Sequence, residues 1–173
     1  MASTVRLAGI CYNSLVNGPN MRRVFFFQGC RHNCPGCFNP DTHDFNKGKV
    51  FNIADLVKDT VADTTVHGVT LSGGDPLEQA DAAATMAEMF SMLGYNVWCY
   101  TGYVFEDLLV IMKEDNNICR LLHSVDVIVD GKFVKELSNN EIHFMKFKGS
   151  ENQRIINVPE SLKTGAVIEM EVK

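Results

Sequence analysis

The sequence has no run approaching the ~20 consecutive apolar residues a membrane-spanning helix needs, so a helical membrane protein is not expected. It has no cluster of lysine and arginine, and its formal net charge is -5. A nucleic-acid partner gripped mainly through its phosphates is therefore not expected either. The N-terminal stretch MASTVRLAGICYN lacks a basic region followed by an apolar block, so no secretory signal is expected and the cytoplasm is the expected compartment. Internal repeats, low-complexity tracts and linkers are also missing. With 173 residues, 46% of them hydrophobic, the chain 1-173 is expected to form a single domain with a real core.

Cysteine is what the chain does have. Six cysteines inside a cell point to metal or redox work more than to disulfides. Three of them, Cys30, Cys34 and Cys37, fall in one loop of residues 25–44, FFFQGCRHNCPGCFNPDTHD, with the spacing C-x3-C-x2-C. Three thiolates on one short loop suit a soft metal, either zinc or an iron–sulfur cluster. Structural zinc takes four closed ligands, usually as two separated pairs, whereas three cysteines leave one position open for a small molecule. His43 could close a Cys3His zinc site; His32, lying between Cys30 and Cys34, could not easily wrap the same ion. Cys99 and Cys119 sit on apolar segments and read as buried inert thiols, and Cys11 reads as structural. His67, His123 and His143 have no evident partners, and Tyr100 and Tyr103 read as packing residues.

The pattern of the chain alternates strands and helices. Strands are expected at Val5–Tyr12, Arg22–Gln28, Gly68–Leu71, Asn96–Tyr100, Val125–Val129 and Arg154–Val158. Asn52 caps a helix with Asp55 at its third position, and Ile53, Leu56, Val57 and Val61 share one face of it. Ala83, Met86, Ala87, Phe90 and Leu93 form the stripe of a second helix, and Phe105, Leu108, Leu109 and Met112 that of a third. A short helical piece is expected at Ile118–Leu122 and a ragged polar tail after Val158. Beyond the first gap the strands recur about every 28 residues, close to the ~30 of a βαβ unit. The expected class is therefore α/β, with a parallel sheet covered by helices. A full eight-unit barrel takes about 250 residues, so the expectation is a partial, open (β/α) barrel of about five or six units.

Ligands of parallel α/β folds bind at the carboxyl ends of the strands. The cysteine loop, Ser72–Pro76, Thr101-Gly102 and Asp130–Lys132 all fall at such ends. Gly73-Gly74 lets backbone come close to a ligand without a Cβ in the way. The same stretch also reads as a helix start, with Asp75 as N-cap, Pro76 first in the helix and Glu78 as capping-box partner.

The cysteine triplet after one strand and SGGDP after the next resemble the radical S-adenosylmethionine (SAM) enzymes. Within them the likeness is to the activating proteins of anaerobic ribonucleoside-triphosphate reductase. It runs from Asn17 to about Arg154 through VNGPNMRRVFFFQGC, CPGCFNP, LSGGDPLEQ, VWCYTGY, VDVIVDGKFV and GSENQR. The resemblance implies that Cys30, Cys34 and Cys37 hold a [4Fe–4S] cluster whose fourth iron is chelated by SAM. It implies that Gly36 and Phe38 line the adenosyl pocket, that Gly73, Gly74 and Asp75 face the methionyl amino group, and that Thr101 and Asp130 lie near SAM. Two departures stand out: Gly36 precedes the third cysteine where many such enzymes carry an aromatic, and Gly18-Pro19-Asn20 replaces a common GPG.

The implied activity is reductive cleavage of SAM to methionine and a 5′-deoxyadenosyl radical, which takes a hydrogen from a glycine Cα of the reductase. Thiolate-held clusters reach potentials down to about −700 mV, negative enough for that reduction. An electron donor such as a flavodoxin is implied as well. Two alternatives remain at this level: a radical SAM enzyme acting on a small molecule, and a non-enzymatic iron–sulfur or zinc module. Cys30→Ala, Cys34→Ala or Cys37→Ala is each expected to abolish a stable [4Fe–4S] cluster, and Cys99→Ala to leave it. Iron and sulfide content after anaerobic reconstitution checks this, and a full cluster in any of the three variants refutes the ligand set.

Overall fold

A computed structural model describes residues 1–138 and 147–172; His143 lies outside them. Seven strands form one sheet in the order β3-β1-β2-β4-β5-β6-β7. They are β1 (Thr4–Ser14), β2 (Arg22–Phe27), β3 (Lys49–Asn52), β4 (Gly68–Gly73), β5 (Asn96–Tyr100), β6 (Val127–Asp130) and β7 (Arg154–Asn157). The middle four, β2-β4-β5-β6, run parallel. β1 is antiparallel to both β2 and β3, and β7 is antiparallel to β6. The sheet is mixed and does not close on itself.

The helices are α1 (Ile53–Ala62), α2 (Ala80–Met92), α3 (Phe105–Ile111), α4 (Asn116–Leu122) and α5 (Val158–Thr164). Side chains alternate across the strands, so one face of the sheet carries Phe25, Phe27, Val69, Leu71, Val97, Cys99 and Ile128. These pack with Ile53, Leu56, Met86, Phe90, Phe105, Leu108 and Leu121 of α1 to α4 in one buried cluster. Trp98, Val127, Val129 and Ile155 lie on the other face and form a smaller cluster with Phe147, Met170 and Val172. Burial on both faces is why the middle strands read as unbroken apolar runs.

The expected elements differ from these in five places, the first being β1, expected in a parallel sheet and found antiparallel to β2. β3 was not anticipated, because its four residues are mostly exposed and only pairing with β1 makes them a strand. The last regularly spaced strand, β7, was expected to run parallel and pairs antiparallel with β6. The only described element between β6 and β7 is a single 3-10 turn, Lys135–Leu137. The tail after Val158 holds α5, with Asn157 Oδ1 accepting from Glu160 N at 3.1 Å and Gly165 left-handed just past its end. Val61 and Leu93, placed on helical stripes, are 44% and 53% exposed, and Thr60 takes the buried position in α1.

Arg22 fastens the amino ends of the parallel strands. Its buried guanidinium donates to Thr70 Oγ1 at 2.8 Å, Val69 O at 2.6 Å, Asn96 O at 2.8 Å, Asn96 Oδ1 at 3.1 Å and Pro19 O at 3.2 Å. It also stands 5.4 Å from the centre of the Trp98 ring. Burial pulls its pKa down to about 10, so it stays charged at neutral pH. Arg22→Ala strips donors from several buried acceptors at once and is expected to cost roughly 3 kcal/mol. Denaturant unfolding measures it; a loss below about 1 kcal/mol, the worth of a single ordinary hydrogen bond, contradicts this role.

Candidate metal centre

The cysteine loop leaves the carboxyl end of β2 and is laced down by backbone bonds. Gly29 N donates to Thr42 O at 2.7 Å and Cys30 N to His43 O at 3.3 Å, which ties the start of the loop to its end. Gly74 N donates to Phe27 O at 2.8 Å and Asp75 N to Gly29 O at 2.9 Å, so the turn after β4 grips the same segment. Gln28 is buried and its amide donates to Asp41 O at 3.0 Å and Asp44 O at 2.6 Å, holding the return arm. Close packing demands the two glycines. Gly73 has φ +105°, and a Cβ there would strike the Phe26–Phe27 backbone, while one on Gly74 would strike Gly29 O. The crowding at this pair therefore comes from the protein's own chain.

Cys30, Cys34 and Cys37 are free thiols, each partly exposed, whereas Cys99 is fully buried. Cys37 N donates to Cys34 O at 3.1 Å, and Asn39 N donates to Cys37 Sγ at 3.4 Å. Burial pushes the Cys30 thiol up, opposed by the His32 backbone and reinforced by the Asp75 carboxylate. Among the described residues no three His, Cys, Asp or Glu side chains stand close enough to hold an ion in this conformation. The donor chemistry nevertheless fits a cluster held by three cysteines: three unpaired thiols on one loop anchored at both ends. His32 is spoken for elsewhere, since its Nε2 lies 2.7 Å from Asp75 Oδ2.

Asp75 is the centre of the rim and is fully buried. Its carboxylate accepts from Leu77 N at 3.0 Å, from Gly102 N at 2.9 Å, from His32 Nε2, and from the Thr101 hydroxyl at 2.9 and 3.1 Å. It is thus an N-cap, as its place before Pro76 suggests, and also the junction of three strand ends. The expected capping box does not close: Asp75 N bonds Gly29, and Glu78 turns to Arg31 Nε at 3.0 Å and the Tyr103 hydroxyl at 3.4 Å.

The remaining candidates spread around this junction. Gly36, at φ +72°, lies against the Lys135 side chain, and Phe38 is 71% exposed with its ring 4.7 Å from that of Phe133. Thr101 is buried on Asp75. Asp130, at the end of β6, spends both oxygens on protein donors: Phe105 N at 2.8 Å and Arg154 at 2.5 and 3.1 Å. Sequence reasoning missed His32 as a partner of Asp75, the Arg31–Glu78 pair and the seat of Tyr103 on the His32 ring, centroids 4.7 Å apart. Their only advance signal was the charge and imidazole inside the cysteine loop. Cys11 and Cys119, taken as structural or inert, are only partly buried; the Cys119 sulfur stands 3.7 Å from His123 Nδ1.

The open sheet carries a three-cysteine loop at its carboxyl edge, and a family model described as a 4Fe-4S single cluster domain matches residues 16–156. Curated relatives are more particular. The chain is 34% identical over 147 residues to the anaerobic ribonucleoside-triphosphate reductase-activating protein of Salmonella typhi, covering 80% of this chain and 90% of that one. It is 34% identical over 148 residues to the protein of the same name from Enterobacteria phage T4, covering 81% and 86%, and 33% identical over 147 residues to that of Escherichia coli (strain K12), covering 80% and 90%. The chain belongs to the family of anaerobic ribonucleoside-triphosphate reductase-activating proteins.

Removing the Asp75 carboxylate should cost more than a helix cap. A lost cap costs about 0.5–2 kcal/mol. Asp75→Ala also strands the donors of Gly102, Thr101 and His32, so a loss of roughly 3 kcal/mol or more is expected. Urea unfolding of the cluster-free protein reads it directly; a loss inside the cap range means the junction contributes nothing further.

Proposed function

We propose that this protein is a radical SAM activase that installs a glycyl radical on an anaerobic ribonucleoside-triphosphate reductase. The observation that carries the reading is the free-thiol loop docked on the Gly73-Gly74 turn, in a chain whose relatives carry the activating-protein name. Cys30, Cys34 and Cys37 would hold a [4Fe–4S] cluster, which would supply the electron for reductive cleavage of SAM and so the radical chemistry directed at the partner's glycine.

The chain's own residues do the positioning. Gly36 and Phe38, flanking the last thiol, border the adenosyl group. The backbone of Gly73 and Gly74 would face the methionyl amino group, with Asp75 beside it tying that turn to Gly29 through its N–H and to Thr101 through its carboxylate. Asp130 sets the far side of the rim through its bonds to Phe105 N and Arg154. The parallel middle of the sheet acts as a partial barrel, and the reductase supplies the missing wall, excluding water and confining the radical. An electron carrier such as a flavodoxin delivers the electron.

Mixing the reduced protein with the reductase and SAM without oxygen is expected to produce a glycyl doublet by electron paramagnetic resonance (EPR), lost when the partner's glycine is alanine. A silent reductase together with turnover of a small molecule overturns the proposal.

A further inference from the structure

Arg31 and His32 lie between the first and second cysteines, and both are anchored on the turn that follows β4. Arg31 Nε pairs with Glu78 Oε2 at 3.0 Å, the carboxylate being 3% exposed. His32 reaches deeper. Its side chain is 8% exposed and ends 2.7 Å from the fully buried Asp75 Oδ2. The ring is packed edge-on against Tyr103 and fills the space that a side chain at Gly102 would need. Asp75 is surrounded by donors, and a carboxylate in that setting only accepts, so Nε2 carries the hydrogen.

The position of this bond gives it a consequence for the loop. Downstream of His32 the loop faces solvent: Asn33, Pro35, Gly36, Phe38 and Asn39 are all exposed. The thiols of Cys30 and Cys34 sit two residues either side of the one buried side chain in the stretch between them. A buried charge-assisted hydrogen bond, made to the same carboxylate that holds Thr101 and Gly102, sets where those thiols stand relative to the Gly73-Gly74 turn.

We propose that His32 is a positioning residue, clasping the cysteine loop to Asp75 so that the open face of the cluster meets the SAM-binding turn. This rests on the function proposed above. Residues that orient ligands without touching the metal typically change metal affinity about 10–100-fold when removed.

Two variants separate the hydrogen bond from the packing. His32→Phe keeps a ring against Tyr103 and loses the N–H; His32→Gln keeps an N–H at similar reach. After anaerobic reconstitution, His32→Phe is expected to lose iron to a ferrous chelator about tenfold faster than the unaltered protein and to need about tenfold more SAM to change the EPR spectrum of the reduced cluster. His32→Gln is expected to recover both to within about twofold. Amide exchange across residues 30–34 of the cluster-free protein, faster in His32→Phe and restored in His32→Gln, reads the clasp without any cluster. Equal behaviour of His32→Phe and the unaltered protein overturns the inference, as does failure of His32→Gln to restore either measure. An unaltered protein that takes up no cluster overturns the proposed function instead, and the exchange rates still decide the clasp.

Discussion

A single buried carboxylate organises this molecule's working end. Asp75 has no exposed surface and gathers donors from its own turn, from the end of β5 and from the cysteine loop after β2. A buried charge left unpaired is costly, so these segments are held together by the need to satisfy it. The donors come from three different strand ends. The loop that carries the thiols, the turn that carries the paired glycines and Thr101 thus cannot shift independently. Burial of Asp75 and convergence of the rim are one event.

The opposite end of the parallel strands is secured by the opposite charge. Arg22 satisfies backbone and side-chain oxygens of β4 and β5 much as Asp75 satisfies donors at the other end. Between them lie the largely buried stretches 24–27, 69–71 and 97–99, in which only Phe26 is half-buried. A rigid sheet pinned at both ends suits a site where a reactive group must be held against its target while water is kept away. The cysteine loop itself is exposed over much of its second half.

Much of this was legible in the sequence, and the reasons it was legible are local. The cysteine spacing, the helix caps at Asn52 and Asp75, and the apolar strands β2, β4, β5 and β6 are each written within a few consecutive residues. What escaped is decided by distant residues. β3 is a strand only because β1 lies beside it, and the antiparallel direction of β7 is set by its pairing with β6, which its own four residues do not reveal. His32 read as a poor ligand because it lies between two of the cysteines, and its partner could not be named because it is 43 residues away. Asp75 read as a cap, which it is, while its bonds to Thr101 and Gly102 depend on how β4 and β5 align. Helix α5 is the exception: Asn157, Pro159, Glu160 and Gly165 are ordinary start and stop signals that a polar composition obscured.

The central claim is that three cysteines hold the cluster and leave one iron for SAM beside the rim that Asp75 builds. Mössbauer spectra of the reconstituted protein, recorded with and without SAM, test it most directly. The account predicts that SAM alters the signal of one iron in four and leaves the other three unchanged. A spectrum in which SAM alters no iron, or all of them alike, contradicts it.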